Sequence, residues 1–416
     1  MKNFICNTDK SQNNIEPLVL FIQVDALRHD YMKLEDSPVL IDLTKKGITA
    51  SIKPTFGFEP DAAYIAGLHP NESDGGVQFW YDPSGSPFLF LGGWTRVLNL
   101  LPDLPDRALR RLVKRIARPR CMSPTLSTAR IPFYLLKYFD FPMQCRMDGS
   151  EFVNANSIFD LLRKAGRKWL YHGTPDYKVD LDSIIARVEK DLSLPIDFAF
   201  FHIGDLDRVG HKYGPESVEI RAALKNVDKG IKRIVKVAKE RFEEVHLIIM
   251  GDHGMMEVRN HLDIWSELKK LPVKLEKDYL VFLDSTMARF WFFSDRAEKL
   301  IVDMLDNVEG GHIISQEEKD RYHLNYSHNK FGDIIFLVDP GVLIFPNFYQ
   351  SRKPVKGMHG YAPETPEQQS ALVIHSPKVQ VLKNFEEPVD MRRVFPTVLD
   401  LMELSIPENT TAQSLL

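Results

Sequence analysis

The chain has 416 residues, of which 44% are hydrophobic and 26% are charged, a balance that excludes a disordered, collagen-like or coiled-coil chain. Its formal net charge of −4 gives no reason to expect a nucleic-acid partner. The three cysteines, Cys6, Cys121 and Cys145, are too scattered for a disulfide framework or a four-thiolate zinc site. The N-terminus lacks the apolar core of a secretory signal, and no apolar run is long enough to span a membrane. We therefore expect a soluble, cytoplasmic protein.

Three apolar segments predict strands that are buried on both faces of a parallel sheet. Each segment leads into acidic residues; the pairs are 18–24 with Asp25, 198–203 with Asp207, and 245–250 with Asp252. Ligand sites in open α/β sheets form beyond the carboxyl ends of the strands. The repeated arrangement therefore predicts one shared site at this edge of the sheet.

Helices are predicted between these strands. Apolar residues recur at helical spacing from 220 to 238, after Ser217 as a plausible N-cap. A second helix is predicted for 157–165, ending at Gly166. The alternation of strands and helices predicts an α/β fold in which a central, mostly parallel sheet is sandwiched by helices.

Two irregular regions interrupt this pattern. We predict one main domain over 17–405, with a basic and aromatic insertion at about 82–149, a second insertion at about 271–347, and tails at 1–16 and 406–416. Seven basic residues and no acid lie between 107 and 120; they are Arg107, Arg110, Arg111, Lys114, Arg115, Arg118 and Arg120. Three interpretations stay open for the first insertion: a solvated helix face, a surface that attracts anionic substrates, or contact of residues 88–120 with an anionic membrane.

Carboxylates and imidazoles occur at spacings that suit metal ligation. Asp207 and His211 are four residues apart, and Asp252 and His253 are adjacent between glycines. His359 lies in a loop between Gly357 and Gly360. Two ligand sets can be drawn; they are Asp25, Asp252 and His253, and Asp207, His211 and His359. Each set offers oxygen and nitrogen ligands that suit zinc. Two metals held close together stabilise an in-line phosphoryl displacement.

Five motifs occur in an order that resembles the alkaline phosphatase superfamily, and within it the nucleotide pyrophosphatase/phosphodiesterase branch and an uncharacterised bacterial subgroup. The motifs are Val24-Asp25, Gly67-Leu68-His69-Pro70, Asp207-Arg208-Val209-Gly210-His211, Gly251-Asp252-His253-Gly254-Met255 and His359-Gly360-Tyr361. The resemblance implies a central, largely parallel sheet and hydrolysis of phosphate esters or diesters through a covalent phospho-enzyme. It also implies that the two ligand sets hold two divalent metals, with zinc expected and manganese as the alternative.

The nucleophile of the family is missing from its expected place. In the family, a Thr or Ser would open a helix about ten residues before Gly67. This stretch can be aligned with the family in two ways, and neither alignment places a hydroxyl side chain at that position. Thr55 is one candidate nucleophile, reaching the site from upstream. Alternatively, Glu59 or Asp61 is an extra metal ligand and a metal-activated hydroxide attacks directly; Asp61 is also a candidate substrate contact. As a third alternative, the protein binds metal and phosphate without turnover.

The sequence thus predicts a two-metal hydrolase of phosphodiester or pyrophosphate bonds in a small phosphate ester or nucleotide-like substrate. The alternatives are a metal-binding sensor that lacks the family nucleophile, or a phosphomonoesterase or phosphotransferase of the same superfamily. His202, next to the second acidic strand end, is interpreted as a buried core residue.

Overall fold

The computed structural model describes residues 17–33, 35–92, 95, 103–117, 130–142, 146–173, 181–350, 352–379 and 382–416. The predicted N-terminal tail, 1–16, and the residues Arg118 and Arg120 of the basic run lie outside the described residues, and of Arg107 only the backbone lies within them.

A central sheet of eight strands forms the core of the described chain. Seven strands lie in the order Lys383–Asn384, Ile48–Lys53, Ser370–His375, Val245–Met250, Leu18–Val24, Phe198–Ile203 and Trp169–His172, and Val389–Asp390 also pairs with Ile48–Lys53. The strand Ser370–His375 is antiparallel to both neighbours, and the other pairs are parallel. The predicted mostly parallel α/β sheet is confirmed.

The strand Leu18–Val24 lies in the middle of this sheet and is buried along its whole length. Val19 and Phe21 belong to one apolar cluster, and Leu20 and Ile22 belong to another. Successive side chains of a strand point to opposite faces, so both faces of the sheet are covered. This is why the strand carries an uninterrupted apolar run.

Helices cover the two faces and connect the strands. The helix Val218–Arg241 begins where predicted, and the Ser217 side chain accepts a hydrogen bond from the Ile220 amide at 3.2 Å. Ile158–Lys164 begins after Ser157, which forms a capping box with Asp160. The other α-helices are Pro38–Thr44, Asp61–Ala66, Pro70–Ser73, Asp103–Ala117, Phe133–Leu136, Leu181–Asp191, Asp205–Tyr213, Ile264–Lys270, Asp295–Asp306, Gln316–Arg321 and Val394–Leu401. None of the helices in the described residues has both the length and the apolar character needed to cross a bilayer.

The region predicted as a second insertion contains its own antiparallel sheet. Its strands lie in the order Tyr279–Leu283, Met287–Phe292, Ile334–Val338 and Gly311–Ile313. Asp284 and Arg289 form a fully buried ion pair at the start of this sheet, with 3.0 Å between Asp284 Oδ2 and Arg289 Nε. The described residues also form three two-stranded ribbons: Trp80–Tyr81 with Phe139–Asp140, Met256–Glu257 with Gly357–Met358, and Asn260–Leu262 with Val342–Ile344.

Most of the described parts of residues 82–149 pack onto this second sheet, whereas Met147 packs into an apolar cluster of the central sheet. Phe88, Val113 and Phe133 are buried in the same apolar cluster as Phe282 and residues of the second sheet. At the other end of the chain, the residues predicted as a C-terminal tail pack against the helix Val394–Leu401. There the Leu415 amide donates to Thr397 Oγ1 at 2.9 Å, and the Leu415 side chain is buried.

Candidate metal centre

The carboxyl ends of three neighbouring strands bring the predicted ligands together. Leu18–Val24 runs parallel to Phe198–Ile203 on one side and to Val245–Met250 on the other, so all three strands end at the same edge. Asp25 and Asp252 directly follow their strands or lie one residue beyond, and Asp207 lies in the first turn of the helix Asp205–Tyr213. The shared site predicted at this edge is therefore assembled by the sheet itself.

Asp25, Asp252 and His253 form a compact, buried group. Each offers one potential ligand atom, and these atoms lie within 4.8 Å of one another. His253 Nε2 is 3.4 Å from Asp25 Oδ1 and 3.8 Å from Asp252 Oδ2. This group has the membership predicted for one metal.

A second compact group consists of Asp207, His253 and His359. His253 thus belongs to both groups, and it takes the place that the prediction gave to His211. His211 is nevertheless next to this group, because its Nε2 lies 3.0 Å from Asp207 Oδ1 and its ring centroid is 5.4 Å from that of His359. All six predicted ligands therefore lie in one continuous cluster.

Hydrogen bonds to the backbone orient two of the imidazoles. His253 Nδ1 lies 2.8 Å from the Gly254 carbonyl oxygen, and His211 Nδ1 lies 2.8 Å from that of Gly357. An N–H at Nδ1 that donates to a carbonyl leaves Nε2 free to act as a ligand. In both residues Nε2 is the atom that faces the carboxylates.

The charges of the cluster fit a pair of divalent cations. Asp25 Oδ1 is buried and has no hydrogen-bond partner among the described residues, and an uncompensated buried carboxylate is costly. Burial and the charges of Asp252 and Asp207 raise the pKa of Asp25 well above its usual range. Cations are needed to neutralise three carboxylates that lie so close together. Carboxylate oxygens combined with imidazole nitrogens are a donor set that zinc prefers.

The pKa values of Asp207 and His211 move in opposite directions. Burial favours the neutral acid, but the charge and hydrogen bond of His211 lower the pKa of Asp207. Burial likewise disfavours the imidazolium, yet Asp207 raises the pKa of His211 to about 9. Without metal, a proton on His211 supplies part of the positive charge that the cluster requires.

The segment expected to carry the nucleophile is held close to the site by its backbone. Gly57 has φ +107, and a Cβ placed there would lie 1.9 Å from the Gly76 carbonyl oxygen, so only glycine fits. The Phe58 amide donates to that same oxygen at 2.8 Å. The Phe58 ring then lies edge-on to His359, with centroids 5.8 Å apart. An aromatic ring, not a hydroxyl, is therefore packed against a predicted ligand.

Thr55, Glu59 and Asp61 have different surroundings. Thr55 is half-buried, and among the described residues no hydrogen bond joins its hydroxyl to the six predicted ligands. The helix begins at Asp61 after Pro60 as N-cap. Burial and the charge of Asp61 raise the pKa of Glu59 to about 8, and burial raises the pKa of Asp61 to about 6. Neither acid belongs to the two compact groups found among the described residues.

Two polar residues beside the cluster were not recognised as site residues from the sequence. Gln23 Nε2 donates to Asp252 Oδ2 at 2.9 Å, and His202 Nε2 lies 3.3 Å from Asp25 Oδ2. The interpretation of His202 as a core residue describes its burial but misses this contact. The available signal was that each is a polar residue inside an otherwise apolar strand, LVLFIQV and FAFFHI.

A largely parallel sheet with acids and imidazoles gathered at its carboxyl edge defines an α/β protein with a candidate metal centre at that edge. The model of the family "Type I phosphodiesterase / nucleotide pyrophosphatase" matches residues 124–362, more than half of the 416 residues. The chain therefore belongs to the type I phosphodiesterase/nucleotide pyrophosphatase family of the alkaline phosphatase superfamily, which confirms the resemblance of the motifs to that branch.

Known relatives are similar at low identity. Human ectonucleotide pyrophosphatase/phosphodiesterase family member 5 is 23% identical over 221 residues, which are 52% of this chain and 44% of that protein. This match thus spans less than half of the relative's length. Human bis(5'-adenosyl)-triphosphatase ENPP4 is 24% identical over 379 residues, which are 88% of this chain and 74% of that protein.

A solved structure shows the same fold. Murine ectonucleotide pyrophosphatase/phosphodiesterase 5, in an inactive form in complex with AMP, has a TM-score of 0.69 at 18% sequence identity. The similarity covers 95% of this chain and 97% of that one.

Proposed function

We propose that this chain hydrolyses a phosphodiester or pyrophosphate bond in a small nucleotide-like substrate, with two divalent metal ions as cofactors. The observation that carries the proposal is the pair of compact groups that share His253, one with Asp25 and Asp252 and the other with Asp207 and His359. Two adjacent metal positions are the arrangement needed to stabilise both the attacking and the leaving oxygen of an in-line displacement.

The six predicted residues would hold the metals. Asp25, Asp252 and His253 would hold one ion, and Asp207, His211 and His359 the other, with His253 between them. The mixed oxygen and nitrogen donors favour zinc, with manganese as the alternative. When bound, the ions polarise the phosphoryl group and lower the pKa of the attacking water.

Water, rather than a side-chain hydroxyl, is the proposed nucleophile. The helix that should begin with the nucleophile begins with Asp61, and Phe58 occupies the space beside His359. Thr55 would have to move to reach the cluster. Within this proposal, Glu59 and Asp61 are placed near the reacting phosphate, where Asp61 contacts substrate and either acid can serve as an additional ligand.

The names of relatives support the choice of substrate class. One relative is a bis(5'-adenosyl)-triphosphatase, and a structural neighbour was solved in complex with AMP. Both names concern adenine nucleotides, one with a pyrophosphate-type linkage. For this chain we extend that chemistry to a phosphate ester or anhydride with a nucleotide-like group, without choosing the base.

The test is a hydrolysis panel with defined metal content. The purified protein is freed of metal with a chelator and reconstituted with zinc or manganese. Bis(p-nitrophenyl) phosphate, diadenosine triphosphate and p-nitrophenyl phosphate are then compared. We expect metal-dependent hydrolysis of the first two to exceed that of the monoester. A preference for the monoester would identify a phosphomonoesterase, and metal and nucleotide binding without turnover would identify a sensor.

The exposed face of the helix Asp103–Ala117 supports an anionic membrane as a second partner. Leu112 and Ile116 are 52% and 51% exposed although both are apolar. Arg111 and Arg115 are exposed at the neighbouring positions, and residues four apart share one face of a helix. An apolar stripe flanked by arginines matches the surface of an anionic bilayer.

Vesicle flotation tests this partner. The protein is floated with neutral phosphatidylcholine vesicles and with vesicles that also contain phosphatidylglycerol, at low and high salt. We expect binding to the anionic vesicles at low salt, and loss of binding on Leu112→Glu. Val218→Glu is the matched control, because Val218 is 77% exposed on a different helix. Equal flotation of the two variants, or none by the wild type, would exclude this surface.

A cytoplasmic location is also proposed, on the basis of the three scattered cysteines.

A further inference from the structure

Two polar side chains lie side by side beneath the candidate metal centre. Gln23 and His202 are direct partners in the register of two parallel strands, and both are buried. Side chains at partner positions of a parallel pair point to the same face of the sheet. On this face the preceding residues Phe21 and Phe200 are apolar and pack in the same cluster. The apolar layer on this face therefore stops at Gln23 and His202, whose nitrogen-bearing side chains lie directly at the site.

Gln23 holds one oxygen of a predicted ligand. Its Nε2 donates to Asp252 Oδ2 at 2.9 Å, and Asp252 Oδ2 is the oxygen whose distance to His253 Nε2 is 3.8 Å. The other oxygen, Oδ1, accepts from the backbone amides of Ala26 and His253 at 3.1 and 3.0 Å. A carboxylate oxygen accepts along two lone pairs. The hydrogen bond from Gln23 uses one lone pair of Asp252 Oδ2, and the other lone pair remains for a metal.

Tyr64 fixes the orientation of the Gln23 amide. The Tyr64 hydroxyl lies 2.9 Å from Gln23 Oε1, so the amide nitrogen faces Asp252. The same hydroxyl lies 2.5 Å from Asp61 Oδ1. Tyr64 is fully buried, which leaves it little freedom to turn. The contacts thus run without interruption from Asp61 at the helix start to the ligand Asp252.

The His202 imidazole lies close to the other acid of the same group. Its Nε2 lies 3.3 Å from Asp25 Oδ2, whereas Asp25 Oδ1 lies 3.4 Å from His253 Nε2. His202 Nδ1 has no hydrogen-bond partner among the described residues. The proton of a neutral imidazole is therefore best placed on Nε2, where it faces the carboxylate. One oxygen of Asp25 thus faces His202 and the other is directed into the group.

We propose that Gln23 and His202 are positioning residues that orient the two carboxylate ligands, Asp252 and Asp25, of a single metal, and that Tyr64 fixes Gln23 for this role. Ligands of bound metals are commonly oriented by hydrogen bonds from such neighbours, whose loss weakens metal binding by roughly 10- to 100-fold. The inference rests on the proposed function only through its assignment of metal ligands. It requires no particular substrate or nucleophile.

The experiment measures zinc affinity rather than turnover. Metal-free protein is titrated with zinc in competition with a fluorescent chelator, so that the two sites give separate dissociation constants. We expect Gln23→Leu and His202→Leu each to weaken one and the same site by roughly 10- to 100-fold, with the other site within about 3-fold of wild type. His246→Leu is the control, since His246 is a fully buried histidine whose Nδ1 contacts Ser376 Oγ at 2.7 Å, away from the cluster.

Tyr64→Phe keeps the outcome decisive if a leucine variant does not fold. It removes only the hydroxyl, and we expect a several-fold loss of affinity at the same site. The double variant with Gln23→Leu should lose no more than Gln23→Leu alone. Unchanged zinc affinity in Tyr64→Phe and in the folded leucine variants would overturn the inference. Zinc binding by a wild type that hydrolyses nothing would instead reject the proposed hydrolase and leave the positioning role intact, whereas no zinc or manganese binding by the wild type would reject both.

Discussion

The imidazole rings of His253 and His359 stack face to face, with centroids 3.7 Å apart and planes within 7°. The surroundings of the two rings shift their pKa values in opposite directions. Burial disfavours the charged form of both, but Asp252 and Asp25 raise the pKa of His253, whereas burial and the charge of His253 lower the pKa of His359 well below its usual range. His359 is therefore a neutral imidazole, the form that binds metals. Its stacking on His253 places it at the junction of the two compact groups.

Replacement of His359 by alanine should remove one metal. The second ion then keeps Asp207 and His211 as its own ligands and only shares His253 with the first ion, which is fewer than the three protein ligands typical of a catalytic zinc site. We expect metal content to fall from about two to about one ion per chain. Hydrolysis should fall by more than roughly 100-fold, which is the upper end for replacing a residue that only orients a metal ligand. Plasma mass spectrometry on protein purified without chelator measures the first quantity.

The exposed His261 provides the control for this variant. His261→Ala should retain both metals and full activity. Equal metal content in His359→Ala and the wild type would remove His359 from the ligand set.

The choice of nucleophile can be tested by comparing Thr55→Ala with Glu59→Gln. If water attacks directly, Thr55→Ala should keep activity within about 3-fold, because its hydroxyl has no role in the reaction. Loss of an essential covalent nucleophile typically lowers kcat by about 10⁴-fold or more. Glu59→Gln should be the more damaging change, since Glu59 interacts with Asp61 and Asp252 at the site. Steady-state kinetics on bis(p-nitrophenyl) phosphate decides between the two, and the reverse ranking would favour the covalent route.

The ligands could be predicted from the sequence because each is tied to a strand end or a local motif. Asp25 and Asp252 follow apolar runs, and the spacing of Asp207 and His211 fits one turn of the helix that carries both. The sharing of His253 between two groups could not be predicted, because it depends on how the loop before His359 returns to the sheet. Gln23 illustrates the same limit, since its role needs the distance to a residue 229 positions away in the chain.

The second sheet was predicted only in outline, and its centre was not predicted at all. Short strands were expected within 271–347, but the pairing of Asp284 with Arg289 depends on the tight turn between two strands. Arg289 is fully buried among aromatic rings, with its guanidinium carbon 4.9 Å from the centroid of Phe282. From the sequence alone an arginine is expected at the surface, so the buried position of Arg289 could be recognised only from its tertiary contacts.

Asp284→Ala should strongly destabilise the protein. The change leaves the Arg289 guanidinium charged and buried without its carboxylate, and breaking such a pair costs about 3–5 kcal/mol. Asp42→Ala is the control, because the pair Asp42–Lys46 is about 60% exposed on both sides and such pairs contribute about 1 kcal/mol or less. Urea denaturation of the two variants measures the difference. A loss below about 1 kcal/mol for Asp284→Ala would mean that Arg289 finds another partner.

The stability of the metal-free protein should depend on pH through Glu59. Burial and the charge of Asp61 raise the pKa of Glu59 from 4.5 to about 8 in the folded state. Between these two values the folded protein keeps a proton that the unfolded chain has lost, so the free energy of unfolding falls as the pH rises through this window and levels off above about 8. Glu59→Gln should flatten this decline and make the metal-free protein more stable than wild type at pH 8.

Urea unfolding in the presence of chelator, at several values from pH 5 to 9, follows this dependence. The exposed Glu386 supplies the matched control, and Glu386→Gln should retain the wild-type slope. Parallel stability curves for Glu59→Gln and the wild type would mean that Glu59 is ionised in the folded protein. In that case Glu59 would add a further negative charge to the cluster, which would favour its role as an additional metal ligand.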